Sequence, residues 1–307
     1  MTVTATDIRE AAARIQPIAR RTPVLTSHLV DAATGLRCHF KCENFQRGGA
    51  FKIRGAANFL FSIPAGEIGR GVVAFSSGNH AQAVAIAAGY KNTKATIVMP
   101  NDAPPTKLEA TRAYGATVIQ YDRFTEDREA IGGRIAAETG ATLVPPFDHP
   151  WIIAGQGTAT LELLEETPEL DALIVPLGGG GLLSGSAIIA QEVRSGIRVF
   201  GVEPEAGNDY YLSRKAGQRV SIPPPETIAD GLRSPKPGAL TFPIIESLVE
   251  QILLVTDEEI LAAMEVLRSR MKIVVEPSGA VGAAACLFHK LPKGIRSAGI
   301  ILSGGNL

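Results

Sequence analysis

Short β-branched runs recur along the chain, each followed by a loop and then by apolar positions at helical spacing. "GVVAF" (residues 71–75) leads into "SSGNHAQAVAIAAGY", and "ATIVMP" (95–100) leads into "NDAPPTKLEATRAYG". "GATVIQY" (115–121) precedes a helix expected around residues 127–138, and "ALIVPL" (172–177) runs into "GGGGLLSGSAIIAQEVR". "IRVFGVEP" (197–204) and "AGIILSGGN" (298–306) complete the series. Apolar strands alternating with helices predict an α/β fold whose parallel sheets are covered on both faces. Ligands in such folds gather beyond the carboxyl ends of the strands, where all of these loops belong. At the N-terminus Ile8, Ala11, Ala12 and Ile15 predict an amphipathic helix, with Asp7 and Glu10 as its capping box.

The 307 residues suit one large domain or two interleaved ones. With 30 basic and 31 acidic residues scattered along the chain, the net charge is -1 and no basic block appears. That excludes an electrostatic footprint for nucleic acid or an anionic membrane. Three cysteines fit a reducing compartment better than a disulfide framework. In "LRCHFKCEN", Cys38, Phe40 and Cys42 alternate onto one strand face and His39 onto the other, which weighs against a metal site there. Cys286, in "VGAAACLF", reads as helix core. The first residues lack the apolar centre of a signal peptide, and no run is long enough to span a bilayer, so a soluble, cytoplasmic protein is expected. The proline-rich "SIPPPETIADGLRSPKPGAL" (221–240) is expected to carry function or a domain contact.

Three loops call for an anionic, planar ligand. In "LGGGGLLSG", Gly178, Gly179, Gly180 and Gly181 lie between a strand and a helix and expose N–H groups at a helix start, a geometry that binds phosphate. No Gly-Lys-Ser/Thr follows, so this is not a nucleotide triphosphate loop. Gly179-x-Gly181-x-x-Ser184, with Glu203 at the end of the next strand, nearly matches a dinucleotide fingerprint. A nucleotide-binding oxidoreductase or a non-catalytic binding module therefore stays open at this point. "SSGNH" places Ser76, Ser77, Asn79 and His80 at a second helix start, and "LSGGN" brings Ser303 to the end of the last strand. "GGAFKIRGA" (48–56) sets a single amine, Lys52, between Phe51 and Ile53 with glycines on both sides. Apolar neighbours lower a lysine's pKa and make its neutral, nucleophilic form available.

"ENFQRGGAFKIRGA", "SSGNH", "GGGG" and "SGGN", in this order and spacing, resemble the pyridoxal-phosphate (PLP) enzymes of the tryptophan-synthase β-subunit fold, over nearly the whole chain. Within that fold the likeness is to the serine/threonine dehydratase, serine racemase and 3-hydroxyaspartate ammonia-lyase group. The resemblance implies two interleaved open twisted sheets covered by helices (PLP fold type II). It divides the chain into a large cofactor-binding domain of residues 1–50 and 146–307 and a small, mobile substrate-binding domain of residues 51–145. It implies Lys52 as the Schiff-base lysine, Phe51 flanking the cofactor ring and Asn79 on its phenolic oxygen. Gly178 to Gly181 would hold the phosphate, and Ser303 would face the pyridine nitrogen.

By the same likeness Lys52 takes the substrate's α-proton, Ser77 serves as acid or base on the opposite face, and Ser76, Asn79 and His80 join Ser77 around the α-carboxylate. Arg128, in "TEDREAI", matches a substrate-binding arginine; among Glu126, Asp127 and Glu129 it reads equally well as a solvated helix charge. "GVEPEAGNDYY" resembles a divalent-cation loop, with carboxylates from Glu203 and Asp209 and the carbonyl of Gly207 around Mg²⁺, Ca²⁺ or Mn²⁺; otherwise it is a helix start with acidic residues. Many relatives carry serine where this chain has Ala50, a departure that tilts the expected substrate toward threo-3-hydroxyaspartate. The chemistry implied is loss of water and ammonia from a β-hydroxy amino acid to give a 2-oxo acid, with possible racemisation of serine. The rival is a catabolic threonine or serine dehydratase. "VVEPSGA" (274–280) fits the dehydratases better than β-replacement synthases. A homodimer is the family's assembly.

Overall fold

The computed structural model describes residues 3–76 and 78–307. The strands are β1 (Val24–Leu25), β2 (Arg37–Cys42), β3 (Val72–Phe75), β4 (Ala95–Pro100), β5 (Thr117–Tyr121), β6 (Thr142–Leu143), β7 (Ala172–Pro176), β8 (Arg198–Pro204), β9 (Gln251–Val255) and β10 (Ser297–Leu302). They form two sheets. Six strands run in the order β1-β2-β10-β7-β8-β9, and four in the order β5-β4-β3-β6. Among the described residues only the β1–β2 strand pair is antiparallel. The expected α/β class, with helix-covered, largely parallel sheets, is therefore the architecture seen.

Burial explains the uniform apolar runs. Every residue of β3, β7 and β10 is buried. In β2, Cys38, Phe40 and Cys42 are fully buried on one face, as their alternation predicts. Cys286 is buried in the helix Pro277–Leu287, which packs against the six-stranded sheet. Two sequence expectations need correction. The N-terminal helix starts at Ala5, one turn earlier than the first apolar position suggests, so its capping box is Thr4 with Asp7. The Asp7 carboxylate accepts from the Thr4 amide at 2.8 Å, and Asp7 N donates to the Thr4 hydroxyl at 3.3 Å. The last strand stops at Leu302 and not at residue 306, because the backbone beyond it leaves the sheet to pair elsewhere.

That pairing positions the lysine. Phe51 N donates to Ser303 O at 3.0 Å, Gly305 N donates to Gly49 O at 2.9 Å, and Ala50 and Gly304 form an isolated antiparallel bridge. The segment before Lys52 is thus strapped to the segment after β10. Lys52 then opens the helix Lys52–Ser62. Two residues on, the fully buried Arg54 anchors that helix. Its guanidinium donates to Glu43 at 2.7 and 2.8 Å and to Glu162 at 2.7 and 2.8 Å. Lys41, also fully buried, donates to Glu162 at 2.7 Å and to Thr22 O at 2.6 Å. Burial alone would lower the Arg54 pKa, but Glu43 and Glu162 more than offset it and the guanidinium stays charged. A second cavity, of about 590 Å³, lies over this paired cluster between the helices Ala5–Ile15 and Pro150–Glu166.

Candidate active site

A cleft of about 600 Å³ opens where the loops after β2, β3, β7 and β10 converge. It brings together Phe51, Lys52, Ser76, Asn79, His80, Arg128, Gly178, Gly179, Gly180, Gly181 and Ser303. These come from five separate stretches of chain, so their meeting is a product of the fold. Ser77 lies outside the described residues.

Lys52 Nζ lies 5.1 Å from the centre of the Phe51 ring and donates to the Pro146 carbonyl at 3.0 Å. Burial disfavours the ammonium and brings its pKa down to about 8. Neutral amine is therefore present at physiological pH. The glycine loop has a steric reason for its composition. A Cβ on Gly179 would overlap the Phe147 ring, and Gly180 adopts a φ of +88° against the Tyr210 hydroxyl. The helix Gly181–Val193 starts there, and first-turn N–H groups have no partner within a helix. Lys52 and this loop line the same cleft, so the residues present fit an aldehyde cofactor that carries a phosphate.

The other residues are distributed around this axis. Ser303 is buried, and its hydroxyl donates to Ser278 O at 3.4 Å. Ser76 is spent partly on its own loop, its Oγ accepting from Gly78 N at 3.2 Å. His80 is buried, and burial followed by the nearby Lys52 charge lowers its pKa to about 3, so it is neutral. Its Nε2 meets the Val144 carbonyl at 3.2 Å and carries the proton, which leaves Nδ1 as a buried acceptor without a protein partner. Arg128 is the first residue of the helix Arg128–Thr139 and lies 5.4 Å over the Phe75 ring at the cleft wall. A cation in a first turn opposes the helix dipole, a local cost that suits a residue kept for a ligand.

Among the lining residues that the sequence does not mark as site residues, four bear directly on the site. Lys107, on the helix Pro105–Ala113, forms an ion pair across the cleft with Asp230, which sits in the proline-rich connection. That connection also lines the cleft from residue 230 to 239. "VVEPSGA" carries two groups here, Glu276 and Ser278. A glutamate before a proline reads as an ordinary helix start, so only the fold reveals it.

Away from the cleft, Glu203 and Asp209 face each other in full burial. The two oxygens of Glu203 accept from Tyr210 N at 3.1 Å and Tyr211 N at 3.0 Å. Neither oxygen of Asp209 has a hydrogen-bond partner. Burial raises both pKa values, that of Asp209 to about 7, and the neighbouring carboxylate adds to the rise at Glu203. Gly207 is buried in the turn Glu205–Gly207 that joins them. Among the described residues no cluster of three or more His, Cys, Asp or Glu forms a metal centre. Two buried carboxylates, one with neither oxygen hydrogen-bonded, nevertheless have the chemistry to take a hard divalent cation.

A half-buried, desolvated lysine and a glycine-rich loop at a helix start that line one cleft, on two helix-covered sheets, are the marks of an enzyme of the type II PLP fold. The chain matches the model of the pyridoxal-phosphate-dependent enzyme family over residues 15–304 and belongs to that family. It is 52% identical to L-threo-3-hydroxyaspartate ammonia-lyase of Saccharomyces cerevisiae, over 98% of this chain and 92% of the relative. It is 49% identical to serine racemase of Schizosaccharomyces pombe, over 98% and 93%. The structure of maize serine racemase superposes with a TM-score of 0.97 at 44% identity, covering 100% of this chain and 94% of that one. The nucleotide-binding oxidoreductase reading of the glycine loop falls with this assignment.

Proposed function

We propose that the protein is an ammonia-lyase that converts a β-hydroxy amino acid, threo-3-hydroxyaspartate first, to its 2-oxo acid, oxaloacetate. The observation that carries this reading is Lys52, held at a depressed pKa opposite the glycine cradle. The bound cofactor supplies an imine link to the substrate's amine and an electron sink for its α-carbon. Lys52, with its amine desolvated in the cleft, would take the α-proton. Asn79 would hold the cofactor's phenolic oxygen, Phe51 would flank the ring, Gly178 to Gly181 would take the phosphate, and Ser303 would face the pyridine nitrogen. Ser76 and the N–H groups at the start of the helix Asn79–Tyr90, the backbone N–H of His80 among them, would orient the α-carboxylate, and Ser77 would supply a proton from the opposite face. The β-hydroxyl leaves as water, which is returned on hydrolysis, so the net loss is ammonia.

The distal carboxylate of hydroxyaspartate needs a cation. Lys107, Arg219 and Arg233 in the same wall already bond Asp230, Pro237 O and Thr227 O. Arg128, over Phe75, is the receptor in this reading. The carboxylates of Glu203 and Asp209 with the carbonyl of Gly207 hold Mg²⁺, or Ca²⁺ or Mn²⁺ in its place. Residues 51–145 move as a substrate-binding unit against residues 1–50 and 146–307. The enzyme works as a homodimer in the cytoplasm, and serine dehydration or racemisation accompanies the main reaction.

The test is release of 2-oxo acid from L- and D-forms of serine, threonine and threo-3-hydroxyaspartate, with and without Mg²⁺. Threo-3-hydroxyaspartate is expected to lead, and Arg128→Met to lower its kcat/KM by roughly tenfold to a hundredfold while sparing serine. A preference for threonine would overturn the substrate assignment. Borohydride is expected to fix the cofactor on Lys52, and turnover retained in Lys52→Ala would overturn the reading altogether.

A further inference from the structure

A chain of side-chain amides runs beneath the cleft. Asn306 Nδ2 donates to the Gly48 carbonyl at 2.8 Å and to Asn79 Oδ1 at 2.9 Å. Asn79 Nδ2 in turn donates to Glu276 Oε1 at 2.7 Å. A backbone carbonyl only accepts, so Gly48 fixes which end of the Asn306 amide it meets. Both Asn306 protons are then used. Asn79 must turn its oxygen toward Asn306, which leaves it two N–H groups. One goes to Glu276, and the other remains for the cleft that Asn79 lines. Polarity is thus passed from one carbonyl through two amides.

The surrounding backbone is shaped to admit this chain. A Cβ on Gly49 would overlap the Asn306 amide, and a Cβ on Gly304 would overlap Glu276 Oε1. Glu276 N donates to Gly304 O at 3.0 Å, which fixes the acceptor's backbone. Glu276 is 2% exposed, and its Oε2 has no protein partner. Oε1 accepts from Asn79 whether or not Oε2 carries a proton, so the chain persists in either charge state. Asn79, after β3, is thereby tied to three segments that surround the end of β10.

We infer that Asn306 and Glu276 are positioning residues that force Asn79 to present an N–H, and not its carbonyl, to the cofactor's phenolic oxygen. The inference rests on the placement of Asn79 at that oxygen. It predicts an order that simple packing would not give. Asn306→Ala removes the polarity signal, but Glu276 still holds Asn79. Asn306→Asp, nearly isosteric, offers acceptors alone, so Asn79 must turn its N–H groups toward it and its carbonyl toward the cofactor. Asn306→Asp should therefore be the worse of the two. Glu276→Gln keeps an acceptor and should resemble the parent protein.

The experiment reads cofactor affinity in stripped protein and the pH midpoint of the bound cofactor's visible band. Asn306→Asp is expected to weaken affinity by about tenfold or more. It should move the midpoint up by about one unit, because the phenolic oxygen loses a donor and holds its proton more tightly. An Asn306→Asp variant no worse than Asn306→Ala overturns the inference. Asn79→Ala separates the two levels: if it leaves affinity and band unchanged, the placement of Asn79 itself fails. Should Asn306→Asp not fold, amide exchange in the intact holoenzyme decides. The Asn306 side-chain protons should exchange slowly, and the Asn79 signals should shift on cofactor removal. Free exchange at Asn306 overturns the inference.

Discussion

Arg54, Lys41, Glu43 and Glu162 bury two cations against two carboxylates, whereas Glu203 and Asp209 bury two carboxylates against each other. The first ties the helix Lys52–Ser62 to β2 and to the helix Pro150–Glu166, with Glu162 alone partly exposed, at 17%; the second is wholly buried at the end of β8. The first is closed: every charge has a counter-charge within 2.8 Å, and Arg54 and Lys41 draw the Glu162 pKa below its ordinary value although burial pushes it up. The second is open: Asp209 has no donor, and burial raises its pKa to about 7. A buried ion cluster with balanced charge is architecture. One with a surplus invites something from outside, and the divalent cation proposed for Glu203 and Asp209 would answer it.

The largest effect is expected where the closed cluster is broken. Arg54→Ala leaves two buried carboxylates short of a partner and should cost roughly 3–5 kcal/mol, read from urea unfolding. A loss under roughly 1 kcal/mol would show that the cluster tolerates imbalance. Asp209→Asn should act in the opposite sense. In chelator, at alkaline pH, it removes like-charge repulsion and should stabilise by roughly 1–3 kcal/mol. On the proposed cation site Mg²⁺ is expected to raise the Tm of the parent protein, and the same variant to lose that rise.

The smallest effect is a slope. The folded-state pKa of Asp209 is raised, so the fold favours its protonated form. In chelator, stability should fall as pH rises from the unfolded carboxylate range toward about 7 and level off above it. Mg²⁺ should flatten that fall. A flat profile without metal would place Asp209 in water.

The contrast also marks what the sequence makes legible. Lys52 stands out because an amine between Phe51 and Ile53, among glycines, has no structural excuse. β4 is readable at both ends, since six apolar or β-branched residues are bounded by Lys94 and Asn101. β1 and β6 have two residues each, too few to show a period. β9 follows so closely on the apolar helix Thr241–Leu248 that the two patterns merge. Glu276 and Asn306 have locally ordinary sequence, a helix start and a turn. Their meaning comes from meeting Asn79, 197 and 227 residues away along the chain. The closed charge cluster was invisible for the same reason, as it joins Glu43, Arg54 and Glu162 over 11 and 108 residues.

β10 lies between β2 and β7 in the large sheet. Until residues 297–302 leave the ribosome, both of those strands keep an unsatisfied edge, and the strap that seats Lys52 has nothing to pair with. The nascent chain must therefore carry uncovered strand edges until its most distant partner is synthesised, so the lysine's seat is among the last features the fold can complete.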